Sequence, residues 1–181
     1  MAGSPPFTLH GVFMRVLGQG VLLTGVSGVG KSELALELLS RGHQLIADDA
    51  TEFQMRAGAI HGRCPPLLHG YLEARSLGIL NVRKLYGPRS VGLRARLEMI
   101  IRLDAPDNLP ADGYERIRGH RSLCRLGGVD VPEISIPIRL GHNLAVLVEA
   151  ACRDLHLRKA GYHADEDFTA RQLEVIRSTR S

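Results

Sequence analysis

Residues 25–32 read Gly25-Val26-Ser27-Gly28-Val29-Gly30-Lys31-Ser32, the spacing of a loop that cradles a polyphosphate. Glycines let the backbone wrap phosphate oxygens with its N–H groups turned inward, a lysine ammonium reaches the outer phosphates, and a serine hydroxyl can sit on Mg²⁺. Lys31 is one of only three lysines among 23 basic residues, so a compact point charge stands here in a chain that otherwise uses arginine. These eight residues are candidates for binding a nucleoside triphosphate. If the phosphoryl group is transferred, an acceptor must also be positioned or deprotonated, and Asp48-Asp49 are the first candidates. Successive residues at a strand end point to opposite sides, so one carboxylate can face the phosphates while the other supports a loop; if both faced the site, repulsion would raise one pKa. Taken alone, the pair reads more readily as a solvated turn, and nothing in its spacing chooses between the two residues.

A phosphate loop needs a strand before it and a helix after it, with the helix N-terminus behind the phosphates. Val21-Leu22-Leu23-Thr24 is a short apolar run of the kind a buried parallel strand shows, and Glu33 to Leu39 are strong helix formers ahead of Gly42. His10 to Val16 and Gly20 to Thr24 are expected to be strands joined by a turn at residues 17–20, placing His10 at the far end of a hairpin that leads into the loop. Gln44 to Ala47 is another short strand, and it delivers Asp48-Asp49 to a strand end, where open α/β sheets place their ligands. Loops and short strands follow from Gly58 to Gly70. Leu93 to Leu103 alternates apolar and polar, the period of a strand with one buried and one mostly solvated face and an antiparallel neighbour. Residues 104–113 form a polar loop, and Val129 to Leu140 is extended, with Pro132 and Pro137 marking an edge. Asn143 to Lys159 reads as an amphipathic helix, and Asp167 to Arg177 as a second with Phe168, Leu173 and Ile176 toward the protein. The expected fold is a compact α/β domain, a mixed sheet around a phosphate-loop helix with helices at the C-terminus, occupying residues 1–181 as one unit.

The 181 residues are 44% hydrophobic and 23% charged, an ordinary globular balance that suits one domain. No apolar run approaches the ~20 residues that span a bilayer, and Met1 to Thr8 lacks the features of a signal peptide, so a cytoplasmic protein is expected. Cys64, Cys124 and Cys152 are widely and irregularly spaced, which fits reduced thiols better than disulfides or a zinc site. The net charge of +4 and pI near 9.2 come from scattered arginines with four Tyr, four Phe and no Trp to stack on bases. Nucleic acid is therefore disfavoured, and the charge suits anionic substrates or an acidic partner.

Four ordered segments carry a more specific signal: His10-Gly11-Val12; Gly30-Lys31-Ser32-Glu33; Arg41 through Asp49; and Glu73-Ala74-Arg75-Ser76-Leu77-Gly78-Ile79-Leu80-Asn81-Val82. Together they resemble the catalytic domain of the HPr kinase/phosphorylase family, with a weaker later match at residues 137–145. The resemblance covers the chain from about residue 7 to the C-terminal helices. It implies a protein serine kinase that uses ATP and Mg²⁺ to phosphorylate HPr, the phosphocarrier of the bacterial sugar phosphotransferase system. It implies too that the phosphate can be removed by phosphorolysis, that carbohydrate metabolism is the regulated process, and that the domain assembles as a hexamer.

By the same resemblance Lys31 is the phosphate-binding lysine, Asp49 the general base, Ser32 and Glu73 the Mg²⁺ ligands, and His10 and Arg116 the remaining catalytic positions. Without it, Glu73 and Arg75 would be surface salt-bridge formers, His10 a loop histidine and Arg116 a solvated arginine. Several positions depart from the family pattern. Val26 stands where an acidic residue is usual, Ala74 and Ser76 replace isoleucine and glycine, and His142 replaces an arginine in the segment associated with dephosphorylation. A mostly neutral imidazole holds phosphate less firmly than a guanidinium, so weak phosphorolysis is expected. The additional N-terminal domain usual in the family is expected to be missing, since the chain begins almost at the catalytic one. Two other readings fit the loop: a kinase with a small-molecule or different protein acceptor, and an ATP-binding regulatory module without efficient transfer.

Overall fold

In the central strands apolar side chains point to both faces of the sheet, and that double burial explains why their sequences run apolar without alternation. The computed structural model describes residues 5–104, 115–139 and 141–179. Strands β1 (Phe7–His10), β2 (Val12–Val16), β3 (Gln19–Thr24), β4 (Gln44–Ala47), β5 (Ala50–Arg56), β6 (Ala59–Arg63) and β9 (Arg94–Asp104) lie in the order β1-β5-β6-β9-β3-β2-β4. On β2 and β3, Val12, Met14, Val16, Val21 and Leu23 face one core, while Phe13 and Leu22 face the other.

The first core lies beneath helices α1 (Lys31–Ser40) and α4 (Leu144–Lys159). Leu34, Ala35, Leu38 and Leu39 of α1 are buried there, and so are Ala145, Val148, Cys152 and Leu155 of α4, a three-and-four spacing that makes one helical stripe. The second core forms where β1, β5 and β6 curl over the sheet: the Phe53 ring packs edge-on against Phe13 at 5.2 Å and stacks with Phe7 at 5.8 Å.

Strand β9 departs from its expected pattern. It pairs antiparallel with β6 but parallel with β3 and with β11 (Val129–Pro137). Ile100, expected on the solvated face, is buried in the second core. Strand β11 is not an edge, because it lies between β9 and β10 (Arg121–Leu126). Its prolines sit where they cost least: Pro132 is registered only with Leu123 of β10, since pairing with β9 begins at Glu133, and Pro137 closes the β9 pairing opposite Asp104. The polar loop expected at 104–113 lies outside the described residues from position 105 onward, as does Leu140.

Helix α5 (Ala164–Thr179) is longer than expected and buries nothing; Phe168, Leu173 and Ile176 are each about half exposed. Its start is held electrostatically. Asp165 pairs with Arg158 at 2.6 Å, and Arg158 also holds Asp154 at 2.8 Å. The three cysteines are free thiols, and burial pushes Cys64 up to about 11 and Cys152 up to about 12.

One polar cluster fastens α4 to the phosphate-loop helix. The buried His43 donates from Nε2 to Glu149 Oε1 at 2.8 Å, and Arg41 reaches Glu149 Oε2 at 3.3 Å. The His43 hydrogen bond, opposed by burial and helped by the charges of Arg41, His43 and Arg153, holds the Glu149 carboxyl below its ordinary value of 4.5. A depressed folded-state pKa contributes stability that is complete above the unfolded value and lost as pH falls through the folded one. Glu149→Ala is therefore expected to cost about 1–3 kcal/mol at neutral pH. In denaturant titrations across pH, its deficit against the parent protein should shrink once the pH drops below the ordinary glutamate value.

Candidate active site

The loop between β3 and α1 closes tightly because its glycines allow it. Gly25 has φ 136°, and a Cβ there would lie 2.7 Å from the Leu103 carbonyl oxygen. Gly28 has φ 83°, and a Cβ there would lie 2.8 Å from the Arg75 guanidinium. A side chain at position 25 would force the loop away from β9, while at position 28 the Arg75 guanidinium could swing aside and the left-handed φ is what favours glycine. Lys31 Nζ donates to the carbonyls of Gly25 at 2.8 Å and Val26 at 3.1 Å, which arches the lysine across the loop. Two of the ammonium's three donors are so engaged, leaving a third for a phosphate oxygen.

Ser27, Gly28, Gly30, Lys31 and Ser32 line a pocket of about 360 Å³ at the N-terminus of α1, where the helix dipole favours an anion. Val26 is 71% exposed and contributes only its carbonyl, while Val29 packs against the core. Asp48, Asp49 and Glu73 supply three carboxylates to the same pocket.

The two aspartates have different jobs. Asp48 is half-buried and its Oδ2 accepts the Glu73 backbone N–H at 2.8 Å, which clips the end of β4 to β7 (Tyr71–Ala74) and sets where Glu73 emerges. Burial raises the Asp48 pKa above its ordinary value, against the Glu73 hydrogen bond and with smaller contributions from the charges of Asp49 and Glu73. Asp49 is 82% exposed and holds φ 60°, a left-handed conformation that aspartate tolerates better than most residues. It forms the corner between β4 and β5 and turns its carboxylate outward.

His10 stands beside it, but not for the reason its sequence suggested. Gly11, φ 146°, breaks the chain between β1 and β2, so His10 belongs to a separate strand instead of to the β2–β3 hairpin. In the β1–β5 register His10 lies opposite Ala50, one residue from Asp49. His10 Nδ1 and Asp49 Oδ1 are 3.4 Å apart with His10 81% exposed, a weak contact in water that orients the carboxylate.

Glu73 and Arg75 emerge from β7 and its end, on the hairpin with β8 (Gly78–Asn81). Arg75 lines the pocket and donates to Ser27 Oγ. Sequence reasoning gave Arg75 no role; its alternation with Glu73, two residues away and hence on the same face of an extended segment, is the signal that could have supplied one. Ser32 and Glu73 offer a hydroxyl and a carboxylate, hard oxygen donors of the kind Mg²⁺ takes when phosphate oxygens and water complete its shell. The donor set therefore fits that ion. Arg116 is exposed on α3 (Glu115–Arg118) and is not brought to this pocket; His142 is exposed ahead of α4.

The chain that carries this pocket has counterparts among known proteins. The family model of the HPr Serine kinase C-terminal domain matches residues 4–172. The chain belongs to that family. Among HPr kinase relatives, proteins called HPr kinase/phosphorylase from Xanthomonas campestris pv. campestris (strain B100) and Xanthomonas axonopodis pv. citri (strain 306) are each 47% identical over 175 residues. The alignment takes in 96% of this chain but 55% of each relative, so the chain spans about half their length. The structure of the Hpr(Ser) kinase/phosphatase from Coxiella burnetii matches with a TM-score of 0.80 at 34% identity, over 90% of this chain and 98% of that one. The mixed α/β architecture is thus that of an HPr Serine kinase C-terminal domain. Among the described residues, no helix is long and apolar enough to cross a membrane.

Proposed function

We propose that this domain is an ATP- and Mg²⁺-dependent protein serine kinase whose acceptor is HPr or a close analogue, acting in the regulation of carbohydrate metabolism. The observation that carries the reading is the convergence of Lys31, Ser32, Asp49 and Glu73 on one pocket at a helix N-terminus. Lys31 and the loop N–H groups hold the β- and γ-phosphates and offset the charge that spreads over the transferring group. Asp49 accepts the proton of the serine hydroxyl as its oxygen bonds to the γ-phosphorus and the bond to the β,γ-bridging oxygen breaks, releasing ADP. His10 keeps the Asp49 carboxylate turned toward the acceptor. Ser32 and Glu73 are the residues that would hold Mg²⁺, which when bound draws charge from the phosphate oxygens. Arg116 belongs to the reading through family resemblance and would add positive charge from α3. In phosphorolysis the roles reverse, with Asp49 returning the proton to serine while inorganic phosphate takes the phosphoryl group as pyrophosphate.

The same reading takes the domain as cytoplasmic and as a homo-oligomer, a hexamer by family resemblance, and the half-exposed apolar side of α5 is compatible with an assembled state. Incubating the chain with labelled ATP, Mg²⁺ and HPr from the same organism tests it. Label is expected on an HPr serine, and release of that label by phosphate is expected to be slow because His142 is not an arginine. Label absent from HPr at any enzyme concentration would move the acceptor elsewhere, and phosphorolysis as fast as phosphorylation would remove the role given to His142.

A further inference from the structure

Three serines line the phosphate-loop pocket, Ser27, Ser32 and Ser76, and two of them are already engaged. Ser27 Oγ accepts from the Arg75 guanidinium, and Ser32 stands in the first turn of α1, where the phosphotransfer reading gives it to the metal. Ser76 is exposed, and among the described residues its hydroxyl has no hydrogen-bond partner.

The β7–β8 hairpin carries Ser76 to this place. Its turn is closed by the Leu77 N–H donating to the Ala74 carbonyl at 2.8 Å, and Ala74 pairs with Gly78, so residues 75–77 form the tip. Arg75 pins that tip to Ser27 on the phosphate loop, so the residue after it is held at the wall of a pocket it shares with Lys31 and Asp49. Position 76 accepts a side chain without backbone strain: glycines aside, the positive-φ residues of the described chain are Leu17, Asp49 and Ala57. A hydroxyl therefore stands free beside the phosphate-binding residues, at a position where this chain departs from the glycine usual in its family.

We propose that Ser76 is a phosphorylation site of this chain, modified by the ATP bound to the same chain. The inference rests on the phosphotransfer reading and gives that reaction a second, built-in acceptor. Ser76 Oγ bonds to the γ-phosphorus, the bond from that phosphorus to the β,γ-bridging oxygen breaks, ADP leaves, and the hydroxyl proton passes to the Asp49 carboxylate in the same pocket. A hydroxyl already held in the pocket needs no docking step, so it competes best when no protein acceptor is bound. The product has a partner at hand. A phosphoserine carries about two negative charges and three acceptor oxygens, and the guanidinium of the adjacent Arg75 matches two of those oxygens in bidentate fashion.

The test incubates the full chain with γ-labelled ATP and Mg²⁺, with and without HPr, and maps label on both proteins by peptide mass spectrometry. Label on the peptide containing Ser76 is expected, with a first-order rate constant that does not change on dilution. Ser76→Gly should lose that label while still unfolding cooperatively, and Lys31→Ala should lose it together with any label on HPr. Label on HPr with none on the chain overturns the proposal and leaves the kinase reading standing, whereas label on neither protein removes both. Label on Ser76 without label on HPr supports the proposal and moves the protein acceptor elsewhere. The proposal is equally overturned if the label sits on Ser27 or another residue, or if it survives either substitution. A rate constant that rises with chain concentration also overturns it, because the hydroxyl reached then belongs to another copy.

Discussion

Lys31→Ala is expected to reduce phosphoryl transfer to serine by at least about 10²–10³-fold, with the folded structure intact. Lys31 lies at the start of α1 and its ammonium is spent on the carbonyls of Gly25 and Val26 rather than on the core. Removing it takes away the charge nearest the transferring group and the two bonds that arch the loop, so both nucleotide affinity and turnover fall. Lys31→Arg should rescue little. A planar fork is bulkier than an ammonium and cannot keep the same two carbonyl contacts while presenting a donor to phosphate. Steady-state transfer assays with circular dichroism as a folding control check this. A Lys31→Ala enzyme that phosphorylates its acceptor at the parent rate would end the assignment of the loop.

The second large effect is at Asp49, where chemistry and backbone can be separated. Asp49→Asn should lower transfer by about 10²–10⁴-fold, the usual contribution of a positioned general base, while ATP binding stays near the parent value. Asparagine also tolerates the left-handed conformation, so stability should hardly change. Asp49→Gly should be as inactive yet no less stable, since glycine adopts φ 60° without strain. Paired turnover and thermal melting measurements on the two variants make the distinction. If Asp49→Asn retained normal transfer while Asp48→Asn lost it without unfolding, the base would have to be reassigned to Asp48.

The contrast between those aspartates shows where reading the chain ran out. Adjacent acidic residues at a strand end announce that carboxylates reach a site, but their spacing is symmetric in what it permits. Burial broke the symmetry: Asp48 folds inward to the Glu73 N–H, and Asp49 occupies the exposed corner. Strand β9 makes a similar point. Its alternation was legible, but its neighbours were not, because a strand whose middle, Met99 to Ile101, is covered on both faces by distant segments pairs according to contacts that no local period records. The apolar spacing of α5 was legible too, and it misled, since amphipathicity says that a face wants cover and not that this domain provides it.

Short-range geometry therefore accounts for what the amino-acid sequence determined by itself. The phosphate loop, the helix behind it and the strand ahead of it depend on backbone freedom at Gly25, Gly28 and Gly30 and on apolar runs a few residues long, and all are local. Ordered motifs added the family and the expected roles of His10, Glu73 and Arg116. Tertiary structure alone decided that His10 meets Asp49 through the register of β1 on β5, and that Arg75 covers the loop. Each of these joins residues far apart along the chain, and only the packing of the sheet, which no local preference encodes, sets the distances between them.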